Sequence, residues 1–317
     1  MVTIGYKLSS EEHPANDLVA QAVRAEECGF SFAMISDHFH PWIDAQGQSP
    51  FVWSVIGAVA HRTNNLLLGT AVTCPTIRIH PGIIAQAAAT AASMMPGRFI
   101  LGLGAGENLN EHIFGHRWPP ARVRHAMLKE AVEVIRLLWR GKLANFSGEY
   151  YQLENARVYT LPDELPPIAL AAGGTNAAKL AGEIGDGFFG TTADADLIKV
   201  FNQSGGSGKP HYGELTVCWA EDQDQAEQIA YELWPISGLS GPLLSELALP
   251  AYFEQAATLI DKTAVAKTVI CGPDPERHLE AIQKYAQAGY DHVFVHQVGP
   301  NQQGFFQFYE REILPHV

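Results

Sequence analysis

The residues best suited to chemistry sit together in Ser36-Asp37-His38-Phe39-His40-Pro41-Trp42, directly after the apolar run Phe32-Ala33-Met34-Ile35. An unperturbed imidazole titrates near pH 6.5, so a histidine can take and return a proton at neutral pH. The carboxylate and indole beside it suit a pocket that binds and covers a reacting group. A strand that turns so abruptly from aliphatic to ionisable and aromatic residues has stopped serving the core. In a parallel α/β protein that carboxyl end is where ligands bind. A capped turn, with Asp37 on a backbone amide and His38 exposed, explains the same stretch, and the rest of the chain has to decide.

The elements that must position these residues alternate regularly. Strand-like runs cover Thr3–Leu8, Phe32–Ser36, Leu66–Val72, Phe99–Gly104, Ile168–Ala172, Gly187–Thr191, Glu214–Ala220 and His292–His296. Amphipathic helical stretches lie between them, such as Ala15–Cys28, Phe51–Thr63, Pro81–Met95, Ala121–Trp139, Asn176–Ile184, Asp222–Leu233 and Pro275–Ala288. Continuously apolar strands are buried on both faces and belong to a parallel sheet. Eight βα units over 317 residues predict a (β/α)8 TIM barrel of the α/β class, one domain over 1–317, with insertions on its βα loops. Asp274-Pro275-Glu276 starts a helix with an N-cap, a first-turn proline and an acid, and Gly289 ends it. Gly141–Leu165 reads as a hairpin insertion, Gln203–Tyr212 as a flexible Gly/Ser-rich loop, and Pro235–Pro250 as an apolar loop region.

The strand tips gather unusual residues on one face. They are Glu11 and Glu12; Asp37, His38 and Trp42; Ala71, Val72, Thr73 and Cys74; Gly104-Ala105-Gly106-Glu107-Asn108-Leu109-Asn110-Glu111; Ala172-Gly173-Gly174-Thr175; and Gly190-Thr191. Acids at a helix start are ordinarily solvated or capping, and the glycines from Gly102 to Gly106 relieve crowding as readily as they bind anything. Their spacing is wrong for a dinucleotide fingerprint. Gly173-Gly174 before a helix suits a phosphate or a structural turn equally. Two carboxylates, an imidazole, an indole and an anion nest fit a planar redox cofactor better than a hydrolytic triad. No G-x-S-x-G occurs, and an aldolase-type lysine at a tip has Lys7 as its one candidate.

The bulk numbers exclude other classes. Lys+Arg 21 against Asp+Glu 34 gives a net charge of −13, which repels phosphate backbones. The one modest basic stripe, Arg117, Arg122, Arg124 and Lys129, reads as a solvated helix face. No run approaches a membrane span, and Met1–Gly5 carries neither a basic leader nor a signal core, so a cytoplasmic location is expected. Cys28, Cys74, Cys218 and Cys271 are far apart and fit reduced, buried thiols. No His/Glu cluster has metal-ligand spacing, and His38 and His40 point to opposite faces of an extended segment.

Taken in order, Gly5-Tyr6-Lys7, Ser36-Asp37-His38-Phe39-x-Pro41-Trp42, Leu68-Gly69-Thr70-x-Val72, Leu101-Gly102-x-Gly104-x-Gly106-Glu107-x-Leu109-Asn110-Glu111, Ala171-Ala172-Gly173-Gly174 and Gly185-Asp186-Gly187-Phe188 resemble the F420-dependent glucose-6-phosphate dehydrogenase group of the bacterial-luciferase-like superfamily. The resemblance spans essentially the whole chain. It implies coenzyme F420 in the barrel mouth, with a cis peptide at Ala71-Val72 bulging against the deazaflavin beside Cys74. Asp37, Gly106 and Asn110 would address the ring and its side chain, and Gly173, Gly174 and Thr191 the phosphate. His38 would be the general base for the substrate hydroxyl, Glu107 would serve the deazaflavin N1, and Trp42 and Glu11 would position the alcohol. A homodimer is implied as well.

The departures from that group bear on the substrate. Positions where its members hold a sugar phosphate with lysine carry Asp194 and Gln255 here, and no arginine is evident around Ala266-Lys267-Thr268. Two cations fewer and one anion more make glucose 6-phosphate a poor ligand. Apolar residues in Trp234–Tyr252 favour an uncharged or lipophilic alcohol, or the matching carbonyl in reverse. An FMN-dependent oxidoreductase or monooxygenase of the same superfamily and a non-catalytic flavin-binding barrel are the other readings.

Overall fold

A computed structural model describes residues 2–239 and 241–317. Its strands are β1 (Thr3–Leu8), β2 (Phe32–Ile35), β3 (Leu67–Thr70), β4 (Phe99–Leu103), the hairpin pair β5 (Ala144–Ser147) and β6 (Gln152–Ala156), β7 (Ile168–Ala171), β8 (Gly187–Gly190), β9 (His211–Cys218), β10 (Ile270–Cys271) and β11 (His292–Gln297). The parallel order β9-β11-β1-β2-β3-β4-β7-β8 returns to β9 through Phe188↔His211 and Gly190↔Gly213, which closes an eight-stranded barrel. β10 extends β9 at the upper rim, Ile270 opposite Val217.

The strands are apolar on both faces because each face is covered. Phe32, Met34, Ile100, Phe189, Tyr212 and Phe294 form one buried cluster, linked by ring contacts such as Phe189–Tyr212 at 4.9 Å between centroids. Leu8, Ala33, Ile35, Leu68, Leu101 and Val295 join a second cluster that includes the helices. At such density side chains interdigitate and leave little slack. The helix Pro275–Ala288 starts and stops as expected: Asp274 accepts from the Glu276 amide, and Gly289 ends it at φ 100°.

Most differences from the expected elements are at boundaries. The third strand stops at Thr70, two residues short of the expected Val72, and the Ala71–Val72 peptide is cis. The Gly/Ser-rich stretch after Gln203 is not a free loop: the helix Ala195–Phe201 continues into a wider turn over Asn202–Gly206, and Gly206 is buried with its α-carbon face against the Phe201 ring. β9 therefore begins earlier than expected, at His211. The helices Pro250–Ala257, Lys262–Thr268 and Gln302–Phe308 were not anticipated. The expected hairpin is present as β5–β6, antiparallel. Arg124 departs from the solvated stripe: it is buried, lies 4.3 Å from the Trp118 ring centroid and pairs with Glu246 at 3.1 Å. No helix among the described residues is long and apolar enough to cross a membrane.

Candidate active site

Three strand tips converge on His38. β1 delivers Glu11, β2 delivers His38 itself, and the turn after β4 delivers Glu107. His38 Nε2 stands 3.4 Å from Glu11 Oε1 and 3.4 Å from Glu107 Oε2. The Trp42 ring lies 4.9 Å from the imidazole and rests edge-on against Phe253 at 5.2 Å. The other ring nitrogen, Nδ1, is 3.0 Å from the His40 carbonyl oxygen. Nδ1 also lies 3.2 Å from Asn110 Nδ2; a carbonyl only accepts and an amide N–H only donates, so the tautomer decides which of these two contacts is a hydrogen bond. His40 turns away, with its Nδ1 on the Leu109 carbonyl oxygen at 2.9 Å.

Asn110 ties the β2 and β4 tips together. Its side-chain oxygen accepts from the Phe39 amide at 2.8 Å and the His40 amide at 3.2 Å, and its Nδ2 donates to Glu107 Oε2 at 3.1 Å. Glu11, by contrast with a solvated helix-start acid, is 1% exposed. Its Oε2 accepts from Ser36 Oγ at 2.5 Å and from Ser9 Oγ at 3.2 Å. Burial pushes this carboxyl up, but His38, Lys7 and the Ser36 hydroxyl outweigh it and bring the pKa down to about 2. Glu107 goes the other way: burial raises its pKa, Glu11 and Glu111 raise it further, and His38 and Lys7 offset this only in part. One acid is thus kept ionised while its neighbour is pushed toward the protonated form, the separation expected where one proton acceptor and one proton donor share a site.

The third tip stands on a buried support the sequence did not disclose. Asp37 accepts from Thr73 Oγ1 at 2.6 Å and from Arg78 at 2.8 Å, and both of its oxygens are so used. Arg78 also faces Glu111, which accepts from the Ile77 and Arg78 amides at 3.1 and 2.7 Å. Cys74 is buried on Thr76 Oγ1 at 2.9 Å. A methyl on Gly106, at φ +85°, would stand 2.5 Å from the Cys74 sulfur, and one on Gly104 would stand 2.6 Å from Val72. Close approach therefore accounts for these two glycines.

The next tips around the rim are bare. Gly173 and Gly174 follow β7 and lead into the helix Thr175–Ile184, and a Cβ added to either would meet nothing within 4 Å. Main-chain amides at a helix start with no side chain over them make a cradle for an anionic group. Thr191, after β8, is exposed, and Tyr285 and Tyr290 hold the Thr191 and Thr192 carbonyls at 3.3 and 2.8 Å.

Sequence reasoning missed Lys7–Glu214 at 2.7 Å and Glu12–His296 at 2.7 Å, the first partly and the second almost wholly buried. A signal was present: Lys7, Glu214 and His296 each interrupt an apolar strand, where a charged side chain needs a partner.

The luciferase-like monooxygenase family model matches residues 2–292. The chain is 37% identical over 328 residues to an F420-dependent glucose-6-phosphate dehydrogenase of Nakamurella multipartita, covering 100% of this chain and 96% of that protein. It is 35% identical over 328 residues to the protein of the same name from Mycobacterium avium, covering 99% and 97%. Among solved structures, an F420-dependent secondary alcohol dehydrogenase in complex with an F420-acetone adduct superposes with TM-score 0.92 at 31% identity over 99% of this chain and 98% of that one. A coenzyme F420 dependent tetrahydromethanopterin reductase from Methanopyrus kandleri shares the fold, with TM-score 0.79 at 21% identity over 99% of both chains.

Proposed function

The chain belongs to the luciferase-like monooxygenase family, and from that premise we propose that it is an F420-dependent oxidoreductase acting on a small, uncharged secondary alcohol or its ketone. The observation that carries the reading is His38 Nε2, equidistant from Glu11 and Glu107 beside a side-chain-free rim. F420 supplies the hydride-accepting carbon when bound. The cradle at Gly173 and Gly174 fits its phosphate, with Thr191 alongside, and the Ala71–Val72 bulge with Cys74, Asp37, Gly106 and Asn110 shapes the side facing the ring.

The chain's own residues handle the proton. His38 Nε2 takes it from the carbinol oxygen, since a carbinol loses a hydride readily only as its O–H proton leaves. Glu11, ionised beside it, stabilises the imidazolium that forms. Glu107, whose pKa is raised by desolvation, takes up a proton more readily than an ordinary glutamate. Trp42 lies over the imidazole and limits water there.

A small uncharged substrate suits the remaining wall. Trp42, Ile43, Leu109, Trp234 and Phe253 form one apolar cluster with Leu244 and Leu247 packed on it. Asp194 spends its carboxylate capping a helix, accepting from the Asp196 and Leu197 amides, and Gln255 is exposed. Neither position supplies a cation for a sugar phosphate. The similarity to a secondary alcohol dehydrogenase supports the same choice.

The chain is read as one domain over 1–317 that works in the cytoplasm as a homodimer. Pairing is supported by an apolar cavity of about 400 Å³ between the helices Val52–Arg62 and Pro81–Met94, where Phe51, Ile83 and Met94 are 57%, 58% and 48% exposed.

Purification from a host that makes both F420 and FMN tests the assignment. The expected chromophore absorbs at the violet edge and bleaches on addition of 2-propanol, whereas glucose 6-phosphate leaves it unchanged. A yellow flavin in the purified protein would transfer the assignment to FMN.

A further inference from the structure

The apolar wall beside His38 is assembled from two segments far apart in the chain. The turn over residues 41–46, after β2, brings Trp42, and the end of the helix Gln223–Leu233 leads directly into Trp234. Both indoles are buried in one cluster with Ile43, Leu109 and Phe253. Apolar contact is non-directional, so it does not by itself fix how far apart the two segments stand.

One side chain joins them. Gln46 is 5% exposed; its Oε1 accepts from the Trp42 amide at 2.8 Å and the Ile43 amide at 3.4 Å, and its Nε2 donates to the Leu233 carbonyl at 2.9 Å. Two N–H donors on one terminal atom and a carbonyl on the other admit a single orientation of the side-chain amide. Leu233 closes its helix, so its carbonyl is among those that lack an intrahelical partner. The Trp42 and Ile43 amides have no other partner among the described residues. Behind this bridge lies a cavity of about 550 Å³ bordered by Ala45, Gln46 and Leu233, so packing does not pin the turn from that side. A second tie, from the Asp44 amide to Glu254 at 2.9 Å, is exposed, and water can replace it.

We propose that Gln46 is a positioning residue that sets the size of alcohol the site accepts. It holds the Trp42 turn to the end of the helix that precedes Trp234, and the wall between them then bounds a space for a small secondary alcohol. The proposal rests on the assignment of the site to alcohols. Gln46 makes no hydrogen bond to His38, Glu11 or Glu107 among the described residues. Losing the bridge therefore loosens the wall and leaves the proton-handling groups in place.

Gln46→Met keeps the bulk of the side chain and removes all three hydrogen bonds, whereas Gln46→Glu keeps an oxygen for the two amides. A merely destabilised enzyme has fewer active molecules, which lowers kcat for every alcohol equally and leaves KM and preference alone. A loosened wall acts on binding, so Gln46→Met should raise KM for 2-propanol about tenfold with kcat nearly kept. The kcat/KM for cyclohexanol relative to 2-propanol should rise about tenfold or more. Gln46→Glu should recover part of both.

Fluorine NMR of fluorotryptophan-labelled, cofactor-free protein gives a readout that needs no turnover. The Trp42 and Trp234 resonances are identified by their loss in Trp42→Phe and Trp234→Phe. In Gln46→Met both should move, while Trp53, Trp118, Trp139 and Trp219 keep their positions and so report an intact fold. Should all six shift, Gln46→Glu carries the same test. Unmoved Trp42 and Trp234 resonances in a folded variant overturn the proposal, as does a variant that loses kcat alone with KM and preference unchanged. If the two resonances move while wild-type protein turns over no alcohol, the bridge between the two segments stands and the reaction assignment fails.

Discussion

The two halves of the barrel rim solve opposite problems. Around His38 the tips of β1, β2 and β4 crowd polar and charged groups together on specific partners: Glu11 on Ser36 and Ser9, Asp37 on Thr73 and Arg78, Asn110 on two amides and Glu107. Around Gly173 and Gly174 the tip after β7 offers main-chain amides with nothing within 4 Å of where a side chain would begin. The first half is built from side chains and must hold their geometry within a fraction of an ångström. The second is built from their absence and must only stay clear. The lesson is that substitutions in the first half should damage chemistry or folding, and substitutions in the second should damage binding alone.

The largest expected effect tests the charged half. His38→Ala should lower turnover by ~10²–10⁴ while F420 affinity stays within a few-fold, because a general base contributes that share; steady-state kinetics beside a fluorescence titration would reveal it. If cofactor affinity collapses instead, the imidazole is structural and the division drawn here is wrong. Next comes the support beneath that half. Arg78→Met leaves Asp37 and Glu111 buried without their cation, and removing one partner of a buried pair costs about 3–5 kcal/mol. Denaturant midpoints at constant m-value are the measurement. An unchanged midpoint would mean that Thr73 and the Ile77 and Arg78 amides suffice on their own.

A smaller effect tests the bare half. Gly173→Val should weaken F420 binding about tenfold or more by covering the anion cradle, with turnover at saturation and thermal midpoint nearly intact. Loss of stability comparable to that of Arg78→Met would show that the glycines are structural after all. The smallest effect distinguishes two acids within the charged half. Glu107 has a raised pKa, so the folded state binds its proton more tightly than the unfolded chain does. The charged form therefore costs stability as pH rises above the ordinary glutamate range, and below that range it costs nothing. Glu107→Gln should raise the thermal midpoint slightly at pH 7 and leave it unchanged at pH 4, while turnover falls. Glu11→Gln should do the reverse, since a depressed carboxylate stabilises the fold above its unfolded pKa and loses that contribution only as pH falls toward about 2.

Much of the protein was legible before any coordinates. Apolar strands bounded by amphipathic helices imply a parallel sheet covered on both faces, because periodicity is a local record of burial. Eight such units at this length close into a barrel, and the barrel in turn sends every strand tip to one rim. That is why His38, Glu11, Glu107, Trp42 and Asn110 could be named as neighbours from positions far apart in the chain. The Gly/Ser-rich stretch after Gln203 was misread because flexibility is a property of composition only until a neighbour packs on it. Phe201 and the helix it closes turn those residues into an ordered turn.

Pairing was decided by tertiary structure alone. Nothing local to Asp37 says that its partner is Arg78 rather than a backbone amide. Nothing local to Lys7 points to Glu214, more than two hundred positions away, and nothing local to Glu12 points to His296 on β11. A charge records in sequence that it needs compensation but not where the compensation lies, because Coulomb attraction depends on distance in space, and only the closed barrel sets those distances.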